Sequence, residues 1–370
     1  MRLPPFKLER YFARYEFRAD HMLCGSDCES LTVKELLDLE PGAAESFNRL
    51  WLGYTESPGG PGLRAAIAGL YRKIGVEDVL VHTGAEEAIF SFMNVVLEPG
   101  DHVIVHYPCY QSLHAVAKAL GCEVSKWKAR EEDGWELDLE FLNKNIRPNT
   151  RAIVINCPHN PTGYLMSRES WQQVIETARA NKLYLFSDEV YRFLEYSPED
   201  RLPAAADCYE KAVSLGVMSK SFGLAGLRIG WIATRDHSLM RKLAAFKDYT
   251  TICNSGPSEF LAQLALRHRE RILDRNLEII RGNLGILHNF FSDYPHVFDW
   301  RAPVAGPIAF PSLKGGVSAE DFSRDLLEKK GVLLLPGTVY DSGRSNFRIG
   351  FGRRNLGPGL EKFREYLEQK

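Results

Sequence analysis

The sequence predicts an α/β fold: a mostly parallel sheet with helices on both faces, forming a large domain, joined to a smaller α/β domain. Three observations carry this. Between about residues 79 and 235, short apolar runs alternate with helical patterns, as expected for strands linked by crossover helices. Polar and glycine-rich residues gather just after those runs, where open α/β sheets place their ligands. The length of 370 residues is too great for one compact core, so two domains are expected.

The elements follow in order. Residues 6 to 17 read as a helix after Pro4-Pro5, with Leu8, Tyr11, Phe12 and Tyr15 at i, i+3, i+4 and i+7. Ser57-Pro58-Gly59-Gly60-Pro61-Gly62 is a loop before a helix from Leu63 to Tyr71. It is not a dinucleotide fingerprint, because no strand leads into it. Strands are expected at Val79–Thr83, His102–His106, Ala152–Asn156, Leu183–Ser187, Ala212–Val217 and Arg228–Thr234. Helices such as Ser112–Leu120 and Ser167–Asn181 lie between them. Residues 236 to 290 are charged and helical, with a turn at Asn254-Ser255-Gly256-Pro257. The remainder mixes helices with short strands at Ile308–Pro311, Val332–Leu335 and Asn346–Phe351.

Composition narrows the function classes. The chain is 45% hydrophobic and 25% charged with a formal net charge of −2, which gives no electrostatic case for nucleic acid or a membrane surface. Seven scattered cysteines without a C-x-x-C pair argue against a structural zinc site and fit a reducing, cytoplasmic setting. His102, His106 and His114 flank one strand and helix, but their spacing suits a structural role better than a metal site. No apolar h-region follows Met1-Arg2-Leu3-Pro4-Pro5, so no signal peptide is expected, and no run approaches a membrane span.

Four motifs carry chemistry. Lys220 lies in Val217-Met218-Ser219-Lys220-Ser221-Phe222-Gly223, after an apolar run and before glycine-rich chain. A lysine there can form a Schiff base with an aldehyde cofactor, and Ser219 and Arg228 suit a phosphate. Asn156-Cys157-Pro158-His159-Asn160-Pro161-Thr162-Gly163 follows a buried strand; it is also an ordinary turn by composition. Ser187-Asp188-Glu189-Val190-Tyr191 ends another apolar strand, where Asp188 can hold a protonated ring nitrogen or simply close the strand. Thr83-Gly84-Ala85-Glu86 turns a strand into a helix whose first N–H groups form an anion site.

Together these motifs resemble the fold-type I, pyridoxal-phosphate-dependent aminotransferase class I/II family, over most of the chain and in the right order. The resemblance implies roles by position. Lys220 would carry pyridoxal 5'-phosphate, and Asp188 would face its pyridine nitrogen. Asn160 and Tyr191 would bond the ring hydroxyl oxygen, and Tyr110 would stack on the ring. Gly84, Ala85, Glu86, Ser219 and Arg228 would form the phosphate cup, and Tyr54 would reach the phosphate of a neighbouring subunit in a homodimer. Arg348 would clamp the substrate α-carboxylate, near Asn160 and Gly25. The family pattern also divides the chain: residues 1–35 join the small domain, 36–265 form the cofactor domain and 266–370 the rest of the small domain.

The same cofactor supports many reactions, so the side-chain contacts decide. Where common aminotransferases often carry a glycine-proline loop, this chain has Leu23-Cys24-Gly25-Ser26-Asp27-Cys28-Glu29. With Leu8-Glu9-Arg10-Tyr11-Phe12 this strip looks like the capreomycidine-synthase-like branch, which cyclises a hydroxylated arginine. Glu9, Asp27 and Glu29 are then candidates to hold a guanidinium, or else solvated and helix-capping acids. Two other readings stand beside cyclisation: an ordinary amino acid:2-oxo acid transaminase, and a non-enzymatic cofactor-sensing regulator. The regulator would need a DNA-binding module for which near-neutral charge leaves no room.

Overall fold

Seven strands build the central sheet of the structure, a computed structural model that describes residues 1–369. Across the sheet they run Val79–His82, Gly230–Ala233, Ala212–Val217, Tyr184–Asp188, Thr150–Asn156, His102–Tyr107 and Glu123–Lys128. Every neighbouring pair is parallel except those of Gly230–Ala233, which is antiparallel to both its neighbours. An antiparallel return needs no crossover helix. The loop between Val217 and Gly230, which carries Lys220, therefore stays at the edge where the parallel strands end. Tyr107, Asn156, Asp188 and Val217 finish at that edge, and so does His82, just before Gly84.

Alternation along the strands covers both faces. Val103, Val105, Val154 and Phe186 join one apolar cluster with Ala88, Ile89, Phe92 and Met93 of the helix Ala85–Val96. Ile104, Ile153, Ile155 and Leu185 join another with Trp171, Val174, Ile175 and Ala178 of the helix Arg168–Ala180. A sheet buried on both sides accounts for the near-continuous apolar runs in the sequence. The expected strands appear within one or two residues of their sequence bounds. One strand of the central sheet was not expected: Glu123–Lys128, with charged and half-exposed residues, forms the sheet edge. Edge strands carry polar residues that discourage further pairing, so they lack an apolar signature.

The N-terminal residues pack with the C-terminal part. His21–Met22 pairs in parallel with Val332–Leu333, and Tyr11 Oη donates to the Leu334 carbonyl at 2.7 Å. The first helix, Lys7–Tyr15, buries Leu8 and lays its side along the sheet's C-terminal edge. His102 is fixed by Thr150 and Ser125, and His106 stacks on His159 at 3.8 Å, so these rings serve packing. Among the described residues no helix is long and apolar enough to cross a membrane.

Candidate active site

A cavity of about 410 Å³ opens at the C-terminal edge of the sheet, between it, the N-terminal helix and the strand Phe347–Gly350. Lys220 lies on its wall, and its Nζ donates to Ser26 Oγ at 2.9 Å. Burial pushes the lysine pKa down, against the attraction of Asp27 and Asp188. Asp188 is the last residue of its strand and only 5% exposed. Burial raises its carboxyl to about 7, although the Val190 N–H and the charge of Lys220 favour the anion. A buried carboxylate this reluctant to ionise is short of a cation.

The neighbouring strand ends at Asn156, in register with Asp188. Asn156 Nδ2 donates to the Asp188 carbonyl at 3.0 Å, and its Oδ1 accepts from Asn160 N at 2.7 Å. That side chain folds the Asn-Pro-Thr-Gly turn back toward the cavity. Asn160 Oδ1 then accepts from Tyr340 Oη at 3.0 Å and from Arg348 Nη1 at 3.2 Å. Arg348 is 1% exposed; its Nε and Nη2 grip the Cys24 carbonyl at 3.2 and 2.7 Å, and Nη1 reaches Tyr340 Oη at 2.5 Å. Burial opposes its charge, but Tyr340, Tyr191 and Cys24 hold its pKa above the usual value.

These residues fit pyridoxal 5'-phosphate on three counts. Asp188 lacks a full cationic partner, which a pyridinium nitrogen supplies. Tyr191 is 1% exposed, and its hydroxyl lies beside Ser26 without a well-formed hydrogen bond, so a buried donor is left for a ring oxygen. Gly84 has φ +84°, and a Cβ there would stand 2.6 Å from Arg228 Nη2. The turn thus leaves room for a guanidinium beside the first N–H groups of the helix Ala85–Val96, which is an anion cradle. Ala85, Ser219 and Arg228 line that end of the cavity, and Glu86 is held aside by Ser112 at 2.6 and 2.8 Å. Tyr110 stands on the wall, its ring 5.0 Å from Phe6 and its hydroxyl 3.3 Å from Glu9.

The N-terminal acids divide. Glu9 lines the cavity. Asp27 lines it too but is already bound by both Nε and Nη2 of Arg353, at 3.0 and 2.8 Å. Glu29 is a correction: it does not line the cavity, because its carboxylate accepts the Arg354 N–H at 2.8 Å beside the start of the last helix. Gly25 is on the wall as expected. Tyr54 lies outside the cavity and is 87% exposed, beside the exposed Trp51 and Leu52; Tyr249 and Ile252 are exposed as well. Thr55 Oγ1 ties that segment to the Asn254 carbonyl at 2.8 Å.

Sequence reasoning missed Glu16, Ser26, Tyr340 and Arg353. Glu16 had a signal, since it sits seven residues after Glu9 and shares its helix face. Ser26 and Arg353 had none, because their partners are distant in the chain, and Tyr340 had none because no local pattern marks its bond to Asn160.

Comparisons agree with the geometry. A capreomycidine synthase from Streptomyces vinaceus is 29% identical over 369 residues, which is 99% of this chain and 94% of that protein. An arginine–pyruvate transaminase from Pseudomonas aeruginosa is 30% identical over 84% of this chain and 80% of its own length. Among solved structures, a PLP-dependent aminotransferase from Streptococcus suis superimposes with a TM-score of 0.94 at 35% identity, over 100% of this chain and 99% of that one. A PLP-dependent cyclase, OrfR, gives 0.92 at 29% identity, over 100% and 98%. Residues 23–355 match the family described as aminotransferase class I and II, so the chain belongs to that family and is a pyridoxal 5'-phosphate-dependent enzyme.

Proposed function

We propose that this enzyme converts a hydroxylated L-arginine into a cyclic guanidine amino acid, releasing water and keeping the amine. One observation supports the reading most: the charge left over in the cavity. Arg353 matches Asp27, while Asp188 and Glu86 line the cavity together with Lys220 and Arg228, where the cofactor would sit. Arg348 remains for an α-carboxylate, which a planar guanidinium binds well. Glu9 and Glu16 then remain as carboxylates facing the cavity from one side of the first helix, with Phe12 between them. That wall suits a cationic side chain, whose burial without such partners would cost several kcal/mol. The similarity to the capreomycidine synthase and to the arginine–pyruvate transaminase points the same way.

When bound, pyridoxal 5'-phosphate supplies a sink for the electron pair left when Cα loses its proton. The chain's residues do the rest. Arg348 orients the α-carboxylate, and Lys220 takes the Cα proton. Asp188 would keep the ring nitrogen protonated, Asn160 and Tyr191 would bind the ring oxygen, and Tyr110 would cover the ring face. Glu9 and Glu16 hold the guanidinium close to the carbon that loses hydroxyl. The C–O bond breaks, one guanidine nitrogen bonds to that carbon and gives up a proton, Lys220 returns its proton to Cα, and water leaves. Attack at Cβ closes a six-membered ring; attack at Cγ closes a five-membered one and needs a further proton to leave Cβ before the C–O bond breaks and to return once the ring has closed.

Transamination is the second reading, favoured by the arginine–pyruvate transaminase and the aspartate aminotransferases among the relatives. The test supplies 3-hydroxy- and 4-hydroxy-L-arginine without a 2-oxo acid and follows products by mass spectrometry. Loss of water with the amine retained supports cyclisation. Turnover only with an amine acceptor, yielding a 2-oxo acid, makes the enzyme a transaminase.

We further propose a homodimer, closed over the exposed Trp51, Leu52, Tyr54, Tyr249 and Ile252, with Tyr54 serving the neighbour's phosphate. Residues 1–35 and 266–370 are proposed to form the small domain around 36–265, a division supported by the pairing of His21–Met22 with Val332–Leu333. Seven unpaired thiols fit a cytoplasmic setting.

A further inference from the structure

The strip of residues 23–29 is fastened along residues 348–353. Gly350 N donates to the Leu23 carbonyl at 2.8 Å, and Glu29 N to the Gly352 carbonyl at 2.8 Å. A Cβ at Gly350 would lie 1.7 Å from the Gly25 carbonyl oxygen, an approach only glycine allows. Arg348 grips the Cys24 carbonyl, and five residues on Arg353 grips the carboxylate of Asp27, three residues after Cys24. Ser26 sits between the two grips, and its hydroxyl accepts from Lys220 Nζ at 2.9 Å.

We propose that Ser26 is a positioning residue for Lys220, holding the lysine amine at the cavity face whenever that amine is free. The inference rests on Lys220 being the cofactor lysine. Its physical content is a fixed spacing. The strip that Ser26 belongs to is the one Arg348 holds, so the base and the α-carboxylate clamp are referenced to the same few backbone atoms. A lysine side chain carries about 2 kcal/mol of rotamer entropy, and a base must lie within hydrogen-bond reach of its proton. Anchoring Nζ between turnovers removes most of that search. The groups that face Lys220 are the carboxylates of Asp27, Asp188 and Glu9, the Arg348 guanidinium and the Cys28 thiol. Burial lowers its pKa and Asp27 opposes this most among the charges. Because Arg353 is bound to Asp27, that opposition is weaker than a lone carboxylate would exert.

The test uses cofactor-free protein and two readouts that need no substrate. The first is the rate of covalent loading with pyridoxal 5'-phosphate, followed by visible absorbance. The second is acetylation of Lys220 by acetic anhydride as a function of pH, followed by peptide mass. In Ser26→Ala, loading should slow about tenfold, the equivalent of one lost hydrogen bond. The acetylation midpoint should fall, since the ammonium loses an acceptor. Ser26→Thr, which keeps the hydroxyl, should restore both. Unchanged rate and midpoint in Ser26→Ala overturn the proposal. Equal loss in the alanine and threonine variants does so too, because that is packing rather than a hydrogen bond. If the alanine variant does not fold, Ser26→Cys, a weak acceptor of similar size, is read the same way. Borohydride reduction of the loaded wild type separates the two ideas. A label on another lysine removes the assignment of Lys220. A label on Lys220 with an unaffected Ser26→Ala removes only the role of Ser26.

Discussion

Asp188→Asn should have opposite effects on the cofactor-free and the loaded protein. Without cofactor, Asp188 is 5% exposed, and burial lifts its carboxyl from 3.8 to about 7. The folded-state pKa is raised, so the folded protein keeps a proton that the unfolded chain releases between roughly pH 4 and 7. Stability of the cofactor-free wild type should therefore fall as pH rises through that window. That rise, from 3.8 to about 7, corresponds to at most about 4 kcal/mol by pH 8. Asparagine carries no charge to desolvate, and its Oδ1 can still accept the Val190 N–H that Asp188 accepts at 3.2 Å. At about 2.1 cal/mol/K per residue the chain has an unfolding entropy near 0.8 kcal/mol/K, so the full effect is about 5 °C in Tm. Calorimetry of cofactor-free protein should show Asp188→Asn melting up to about 5 °C higher at pH 8, with the gap closing toward pH 4. In the loaded enzyme the sign reverses. The charge-assisted contact proposed for Asp188 with the ring nitrogen, about 1.5–3 kcal/mol, would be lost, so cofactor affinity should fall roughly 10- to 150-fold. Turnover should fall with it. A cofactor-free variant that melts below wild type at pH 8, or a gap that does not depend on pH, would refute the reasoning.

The remaining tests probe other parts of the site. Arg348→Lys removes the planar fork that holds Cys24, Tyr340 and Asn160; KM for amino acids should rise about 10- to 100-fold by steady-state kinetics. The cofactor absorbance should stay unchanged in that variant, and a lost spectrum would mean the change had broken the whole site. Gly84→Ala forces a Cβ to 2.6 Å from Arg228 at a φ of +84°, so cofactor affinity by fluorescence titration should fall about tenfold or more. Reduction of the loaded enzyme with borohydride should add the pyridoxyl mass to the peptide that contains Lys220. Sedimentation should show a dimer at working concentration that Trp51→Asp converts to monomer; a fully active wild-type monomer would contradict the proposed interface.

Local chemistry determined much of this protein. Apolar runs bounded by turn residues marked six of the seven sheet strands, because a strand buried on both faces is apolar throughout. The residues at or just after their ends, Gly84, Asn160, Asp188 and Lys220, were legible as gathering at one edge because parallel strands must end on one side. The polar edge strand Glu123–Lys128 was not legible, since half its surface meets solvent and its composition is that of a loop. Tertiary structure alone decided the pairings across the chain. Asp27 meets Arg353, Cys24 meets Arg348, and Ser26 meets Lys220 over separations of about two to three hundred residues. No periodicity or turn signal encodes such contacts. They turned Asp27 from a free acid into half of an ion pair, carried Glu29 away from the cavity, and left Glu9 and Glu16 as its facing carboxylates. Sequence patterns report which local backbone is stable, whereas the charge of a site is the sum of side chains that only packing brings together.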